Sequence, residues 1–207
     1  MRIAVTGTDS RDLAERLGSL GHDVVMCPLV AIEPIGPEEI DVGGYDWVVV
    51  TSRNGARELA RRMRGRPARV AVVGHGTAAC LPDPPDLVPA VSTQEGLLAE
   101  FPRPAGRVLF AGAEGARRLL VDELRADFVA LYRTRELRPA DFPDVDLVVL
   151  ASASAARAYA ALGASAPAVS IGPQTTAAAA GVELIAEAET HDLDGLVDAV
   201  RRIVPAT

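Results

Sequence analysis

Short apolar runs alternate with helical patterns along the chain, and this alternation constrains the fold more than any other feature. The predicted strands are Arg2–Thr6, Asp23–Cys27, Trp47–Thr51, Val70–Val73, Leu87–Pro89, Val108–Ala111, Phe128–Tyr132, Leu147–Ala151, Ala168–Ile171 and Val182–Ile185. The predicted helices are Arg11–Leu20, Gly55–Arg64, Gly76–Leu81, Glu95–Phe101, Ala116–Arg125, Ala155–Leu162, Thr175–Ala180 and Leu193–Ile203. Continuous apolar strands that alternate with helices are typical of parallel sheets buried on both faces, so the sequence predicts an α/β protein.

Several segments of the first half return in the same order in the second half. The matching pairs are RIAVTG (2–7) with RVLFAG (107–112), WVVVTSRNGAREL (47–59) with LVVLASASAARAY (147–159), AVVGHGTAA (71–79) with VSIGPQTTA (169–177), and STQEGLL (92–98) with THDLDGLV (190–197). Similar segments that recur about a hundred residues apart predict an internal duplication into two units of ordinary domain size.

Two extended segments rich in proline and acidic residues resemble connectors between domains. They are PLVAIEPIGPEE (28–39) and LYRTRELRPADFPD (131–144), at equivalent points of the two repeats. Two crossings allow two architectures. The repeats either lie side by side, or each domain takes one half from each repeat, and periodicity does not decide between these.

Polar turns follow most of the predicted strands and open the next helix. They are Thr6–Ser10, Thr51–Asn54, Gly74–Thr77, Ser92–Gln94, Gly112–Gly115, Ser152–Ser154, Gly172–Thr175 and Thr190–Asp192. For any one turn, helix capping explains these residue types better than ligand binding does. Ligands of open α/β sheets bind beyond the carboxyl ends of the strands, so eight such turns together favour an anion-binding edge.

Composition excludes several classes of chemistry. All 21 basic residues are arginine, which excludes a Schiff-base or phosphate-loop lysine. Two cysteines and three dispersed histidines argue against a disulfide scaffold or a metal site. A net charge of −7 with 4% aromatics argues against nucleic-acid or anionic-membrane partners. The N-terminus lacks a signal-peptide pattern and no apolar stretch is long enough to span a bilayer, so we expect a soluble cytoplasmic protein.

Three further features have weaker functional interpretations. The segment GHGTAA (74–79) partly matches the dinucleotide fingerprint, but no acidic residue ends the next strand. His75 in that segment is a candidate base with no obvious orienting carboxylate. Tyr132 is a candidate proton donor at the end of a strand, and the nearby Arg133, Arg135 and Arg138 would bind carboxylates if the ligand carried them.

The ordered motifs resemble one enzyme family over nearly the whole chain. They are VVVTSRNGA, VAVVGHGTA, STQEGLL, RVLFAG, LYRT, VVLASASAA, SIGPQTTAAAA and the final T-x4-GLVDAV. Together they are similar to uroporphyrinogen-III synthase of the tetrapyrrole pathway. The resemblance implies two flavodoxin-like α/β domains joined by a two-stranded linker. The first domain would combine residues 1–33 and 138–207, the second would span 37–130, and residues 34–36 and 131–137 would form the linker.

The resemblance also implies the reaction. The family closes hydroxymethylbilane, a linear tetrapyrrole with eight carboxylates, to uroporphyrinogen III with loss of water and inversion of ring D. It uses no metal and no organic cofactor. The substrate closes by itself to the uninverted isomer, so the enzyme must mainly select a conformation. The resemblance further implies a monomer, and we add a transient contact with the preceding pathway enzyme as an expectation.

Motif matching assigns the site residues by implication. Tyr132 matches the tyrosine proposed to assist departure of the substrate hydroxyl. The residues expected to bind substrate in a cleft between the domains are Thr51, Ser52, Asn54, Gly74, Thr77, Ser152, Ser154, Gly172 and Thr175.

The sequence departs from the family pattern after its first strand. Bacterial members often carry an arginine there, where this chain has Val5-Thr6-Gly7-Thr8. This departure motivates an alternative hypothesis, a divergent non-catalytic protein that binds or senses a small anion. A third hypothesis is a nucleotide-dependent enzyme that uses Gly74–Ala79.

Overall fold

The computed structural model describes residues 1–8 and 10–203. Asp9, in the predicted turn Thr6–Ser10, and residues 204–207, at the end of the predicted first domain, lie outside them. By their internal contacts the residues divide into two compact units. Unit 1 comprises Met1–Ala31 and Thr134–Thr207, and unit 2 comprises Ile32–Arg133.

Strands and helices alternate as the sequence predicts. The strands are β1 (Arg2–Val5), β2 (Asp23–Met26), β3 (Val30–Pro34), β4 (Ile40–Asp41), β5 (Trp47–Val50), β6 (Met63–Arg64), β7 (Arg69–Val72), β8 (Val108–Ala113), β9 (Asp127–Glu136), β10 (Leu147–Leu150), β11 (Ala168–Ser170) and β12 (Leu184–Glu187). The helices are α1 (Arg11–Ser19), α2 (Arg53–Arg62), α3 (His75–Ala78), α4 (Gln94–Glu100), α5 (Leu119–Leu124), α6 (Ala153–Leu162), α7 (Pro173–Ala178) and α8 (Leu193–Ile203).

Unit 1 is built on a five-stranded sheet in the order β12-β11-β10-β1-β2. Its neighbouring strands are parallel, and β1 pairs with β10 through Ile3 opposite Leu147 and Val5 opposite Val149. Alternate residues of these strands point to opposite faces. Ile3 and Val5 therefore pack in the same core as residues of α1 and α8, whereas Ala4 packs in the core that includes Tyr159 of α6.

Unit 2 contains a second five-stranded sheet in the order β3-β9-β8-β5-β7. The pairs of β5 with β7, β5 with β8 and β8 with β9 are parallel. Val48 and Val50 pack on one face with Leu59 of α2, and Trp47 and Val49 pack on the other. Burial on both faces explains why these strands are continuously apolar. The predicted α/β class with mostly parallel sheets is confirmed.

Some local predictions differ from the structure. β3 extends through a segment predicted only as an extended connector, and the short pair β4 and β6 was not predicted. The predicted strand Leu87–Pro89 is reduced to a single parallel bridge between Leu87 and Ala71. Prolines before and at the end of this segment lack the N–H that a regular ladder needs, which limits its pairing.

Candidate functional site

The carboxyl ends of neighbouring strands are level within each unit. In unit 2, Val50 at the end of β5 pairs with Val72 at the end of β7, and with Ala111, which lies close to the end of β8 at Ala113. In unit 1, Leu150 at the end of β10 pairs with Ser170 at the end of β11. The residues that follow these strands therefore lie along one edge of each sheet, where ligands of open α/β sheets bind.

Tyr132 and Ser52 meet at the edge of unit 2. The Tyr132 hydroxyl lies 2.9 Å from Ser52 Oγ, and Tyr132 is only 6% exposed. Burial raises the pKa of the Tyr132 hydroxyl above its ordinary value, and the hydrogen bond with Ser52 acts in the opposite direction. Tyr132 is therefore a neutral phenol at physiological pH, as a proton donor must be.

The two repeated serines cap equivalent helices. Ser52 Oγ accepts a hydrogen bond of 3.0 Å from the Gly55 N–H at the start of α2. Ser152 Oγ accepts one of 3.2 Å from the Ala155 N–H at the start of α6. Both serines thus cap a helix, as residue type predicts for each turn taken alone. Ser52 also contacts Tyr132.

Two glycines allow close packing in the turns that follow β7 and β11. A Cβ added at Gly74 would lie 3.0 Å from Ser92 Oγ, and one added at Gly172 would lie 2.7 Å from His191 Cδ2. The carbonyls of Gly74 and Gly172 accept hydrogen bonds from the N–H groups of Thr77 and Thr175. Both threonines are buried, at 6% and 3% exposure, so each turn is tightly packed.

The other predicted binding residues lie in the first turns of the two matching helices or just before them. These residues are half-buried: Thr51, Asn54 and Ser154. The structure thus joins Ser52 to Tyr132, Gly74 to Thr77 and Gly172 to Thr175, each within one unit.

The weaker candidates from the sequence have less support. α3, which follows Gly74, has four residues, so its start offers little of the helix dipole that binds a pyrophosphate. Arg133 forms an ion pair of 2.9 Å with Glu33. Among residues 1–8 and 10–203, no group of three or more His, Cys, Asp or Glu is placed to hold a metal ion. Within the same described ranges, no helix is both long and apolar enough to cross a bilayer.

Arg62 is a structural contributor that the sequence interpretation missed. Its buried guanidinium donates to the carbonyls of Ile35, Pro37 and Leu131 and pairs with Glu58 at 3.0 Å. Leu131 directly precedes Tyr132, so Arg62 holds the backbone beside the phenol. The helical period could have predicted the burial of Arg62, because Arg62 follows the buried residue Leu59 by three positions on the same face of α2.

These features define an α/β protein of two units, each with hydroxyl groups and helix starts at the carboxyl edge of a parallel sheet. The chain belongs to the uroporphyrinogen-III synthase family, because the family model described as uroporphyrinogen-III synthase HemD matches residues 11–198. Membership places it among the cyclising lyases of porphyrin and heme biosynthesis.

The chain is also similar to solved structures. A selenomethionine-labelled mutant of uroporphyrinogen III synthase from the extremely thermophilic bacterium Thermus thermophilus superposes with a TM-score of 0.59. It is 18% identical, with 98% of each chain covered, so the similarity shows the fold. The wild-type protein of that organism is also similar, with a TM-score of 0.46 at 19% identity, covering 98% of this chain and 97% of that one. No curated protein matches the sequence.

Proposed function

We propose that the protein cyclises hydroxymethylbilane to uroporphyrinogen III, with loss of water and inversion of ring D. The observation that carries this proposal is the family match over residues 11–198. The comparisons give no support to the alternative of a non-catalytic anion-binding protein. The proposal includes neither a metal nor an organic cofactor.

Tyr132 is the proposed proton donor to the departing hydroxyl of the substrate. The electron-rich pyrrole expels that hydroxyl, which leaves as water once it has received a proton. Ser52 Oγ already accepts the Gly55 N–H, so its own O–H remains able to donate to the Tyr132 oxygen. When Tyr132 gives up its proton, this hydrogen bond stabilises the phenolate, which regains a proton when the closing ring loses one.

The remaining polar turn residues are proposed to bind the substrate. Carboxylates match hydroxyl groups and the free N–H groups of helix starts, because both are donors. The proposed contacts come from side chains or backbone N–H groups of Thr51, Ser52, Asn54, Gly74, Thr77, Ser152, Ser154, Gly172 and Thr175. Their role is to hold the linear tetrapyrrole in the conformation that closes with inversion, since the uncatalysed closure gives the other isomer.

The proposed domains are residues 1–33 with 138–207, and 37–130, with linker strands at 34–36 and 131–137. The division of the chain at Ala31/Ile32 and Arg133/Thr134 supports this arrangement. Both divisions fall within strands, β3 and β9, which are neighbours in one sheet. In unit 1 the order β2-β1-β10-β11-β12 corresponds to the flavodoxin-like order 2-1-3-4-5.

Matching details at the ends of the two repeats support the proposed duplication. Thr93 Oγ1 accepts from the Gly96 N–H at 3.0 Å, and Asp192 Oδ1 accepts from the Gly195 N–H at 2.8 Å. A Cβ added at Gly96 would lie 2.1 Å from the carbonyl oxygen five residues earlier, and one added at Gly195 would lie 2.0 Å from its counterpart. The same cap and the same close backbone approach therefore open α4 and α8.

The proposed function is tested by product analysis. The protein is incubated with freshly prepared hydroxymethylbilane, the products are oxidised, and the type I and type III isomers are separated chromatographically. We expect the type III isomer in excess over a control with heat-denatured protein. Type I product alone, in the same amount as in that control, would contradict the proposal.

The cellular setting follows from the family and stays a prediction. We expect a monomer in the cytoplasm that takes its substrate from the preceding enzyme of the pathway, through a transient contact. Light scattering of the purified protein tests the first point, and cross-linking with that enzyme tests the last.

A further inference from the structure

Two buried polar atoms in unit 2 have no hydrogen-bond partner among the described residues. They are Nε of Arg53 and Oε1 of Gln94. Buried polar groups are almost always paired, because an unpaired one has lost its water without a replacement. An unpaired donor and an unpaired acceptor in one unit are therefore candidate contacts for a ligand.

Both side chains belong to helix starts at the carboxyl edge of the sheet. Arg53 is the first residue of α2 and directly follows Ser52, and Gln94 is the first residue of α4. A Cβ added at Gly76 would lie 3.9 Å from Arg53 Cδ, so the arginine stem passes the start of α3. Ser92, two residues before Gln94, packs against Gly74. Arg53 and Ser92, which leads to Gln94, therefore both lie beside the turn Gly74–Gly76.

Several other arginines of unit 2 have protein partners that account for them. Arg117 forms two hydrogen bonds with Glu95, of 2.8 and 3.0 Å, and Arg107 pairs with Asp127 at 3.2 Å. Arg61, on the same helix as Arg53, pairs with Glu58 at 2.7 Å in an exposed position. The Nε–H of Arg53 differs from these groups because it is both buried and unpaired.

We propose that Arg53 and Gln94 form a subsite for one pyrrole unit of the linear tetrapyrrole. The Arg53 N–H groups donate to a carboxylate side chain of that unit, and Gln94 Oε1 accepts its pyrrole N–H. A pyrrole unit of the substrate carries both an anionic acceptor and a neutral donor, which is the pairing that these two orphan atoms require. The subsite rests on the proposed function, and it places a carboxylate anchor next to the Ser52–Tyr132 pair.

The test compares Arg53→Ala with Arg61→Ala, which removes the same charge from the exposed side of α2. We expect Arg53→Ala to raise the KM for hydroxymethylbilane by about tenfold to a hundredfold, the loss of one charge-assisted hydrogen bond. Arg61→Ala should change the KM by about twofold at most, because an exposed charge away from the subsite makes no such hydrogen bond with the substrate. Gln94→Leu, which keeps the size but removes the acceptor, should raise the KM by a smaller factor.

Two further measurements separate a binding role from a structural one. Thermal unfolding of Arg53→Ala should match wild type, because Nε has no protein partner to lose, and a large destabilisation would overturn the proposal. Arg53→Lys should give an intermediate KM, since it keeps the charge but not the Nε–H. Equal KM values for Arg53→Ala and Arg61→Ala would also overturn it.

A binding measurement tests the subsite without relying on turnover. Calorimetric titration with uroporphyrin III, an octacarboxylate, should give a Kd that Arg53→Ala weakens by the same factor and Arg61→Ala leaves unchanged. Binding that depends on Arg53 in a protein that forms no type III isomer would support the subsite and refute the proposed function. Binding that does not depend on Arg53, or no binding by wild type, would refute the subsite.

Discussion

The hydroxyl of Tyr132 lies 2.9 Å from Oγ of Ser52, a residue 80 positions earlier in the chain. Tyr132 is on β9 and Ser52 follows β5, and β8 lies between these two strands in the sheet. The contact therefore depends on the strand order of unit 2. It joins the cap of α2 to the proposed proton donor, so the serine that caps the helix also contacts the group that is proposed to act in catalysis.

Replacing Tyr132 by Phe should slow turnover while leaving the fold intact. A positioned general acid contributes about a hundredfold or more in many enzymes, and here the leaving group is already activated, so we expect a fall in kcat of about a hundredfold or less. The type III isomer should remain the main enzymatic product, because conformational selection is unchanged. Rates and isomer ratios measured together test this, and complete loss of activity in a folded variant would contradict it.

Ser52→Ala and Ser152→Ala form a matched pair. Each removes an N-cap, so each should lower the free energy of unfolding by about 1 kcal/mol. Only Ser52→Ala also removes the partner of Tyr132, so it should lower kcat by a factor that largely disappears in the Tyr132→Phe background. Ser152→Ala should show no such coupling.

Urea denaturation and a double-mutant cycle on kcat measure both effects. A coupling of Ser52→Ala with Tyr132→Phe that is no larger than the coupling of Ser152→Ala would contradict a role of the Ser52–Tyr132 contact in turnover.

Much of the fold could be predicted because the central strands are apolar on both faces. Runs such as those of β5 and β10 permit few structures other than buried parallel strands. β3 is harder to recognise, since VAIEP mixes apolar, acidic and proline residues at the sheet edge. The Leu87 segment was overestimated because its residues are apolar, while its prolines limit it to one bridge.

The residues of the site were less predictable than the fold. The turns could be located because they end strands and open helices, but the pairing of Ser52 with Tyr132 depends on strand order. Whether a side-chain atom such as Arg53 Nε or Gln94 Oε1 finds a hydrogen-bond partner depends on which residues the fold brings near it. Neither the Ser52–Tyr132 pairing nor these unpaired atoms can be predicted from the local sequence, so both required the three-dimensional structure.

Arg62→Met should be strongly destabilising, whereas Arg61→Met should not. Arg62 is buried, so its loss leaves the carbonyls of Ile35 and Pro37 without their donor and Glu58 without its buried partner. We expect a loss of about 3–5 kcal/mol, typical of breaking a buried ion pair. Arg61 pairs with the same Glu58 but its side chain is 62% exposed, so its loss should be about 1 kcal/mol or less. Similar losses in urea denaturation would contradict the structural role of Arg62.

The ion pair between Glu95 and Arg117 predicts a loss of stability in acid. Hydrogen bonds from Arg117 lower the pKa of Glu95 from 4.5 to about 2. Because the folded pKa lies below the unfolded one, the pair stabilises the fold above about pH 4.5, and this contribution disappears as the pH falls towards 2. The contribution should be modest, since the pair is exposed to solvent.

NMR titration of the Glu95 carboxyl carbon checks the midpoint, and urea denaturation of Glu95→Gln at several pH values checks the stability. Glu95→Gln should be less stable than wild type at neutral pH, and the difference should disappear as the pH falls through about 2. Arg117→Gln should move the Glu95 pKa back towards its ordinary value. A Glu95 titration midpoint that stays the same in Arg117→Gln would contradict the conclusion that Arg117 lowers the Glu95 pKa.

Gly172→Ala should destabilise unit 1 through a close approach to His191. The new methyl group would lie 2.7 Å from the His191 ring, and overpacking of this kind costs about 1–3 kcal/mol. The backbone itself would tolerate alanine, because Gly172 has an extended φ of 161°. Adding His191→Ala should therefore restore most of the lost stability.

The control is Gly18→Ala in α1, where an added Cβ meets nothing within 4 Å. That substitution should stabilise the protein by about 0.5–1 kcal/mol, the usual gain from replacing a helical glycine. Urea denaturation of Gly172→Ala, of the double variant with His191→Ala and of Gly18→Ala measures these changes. If His191→Ala fails to rescue Gly172→Ala, the cost lies in the backbone of the turn and not in the packing of the histidine.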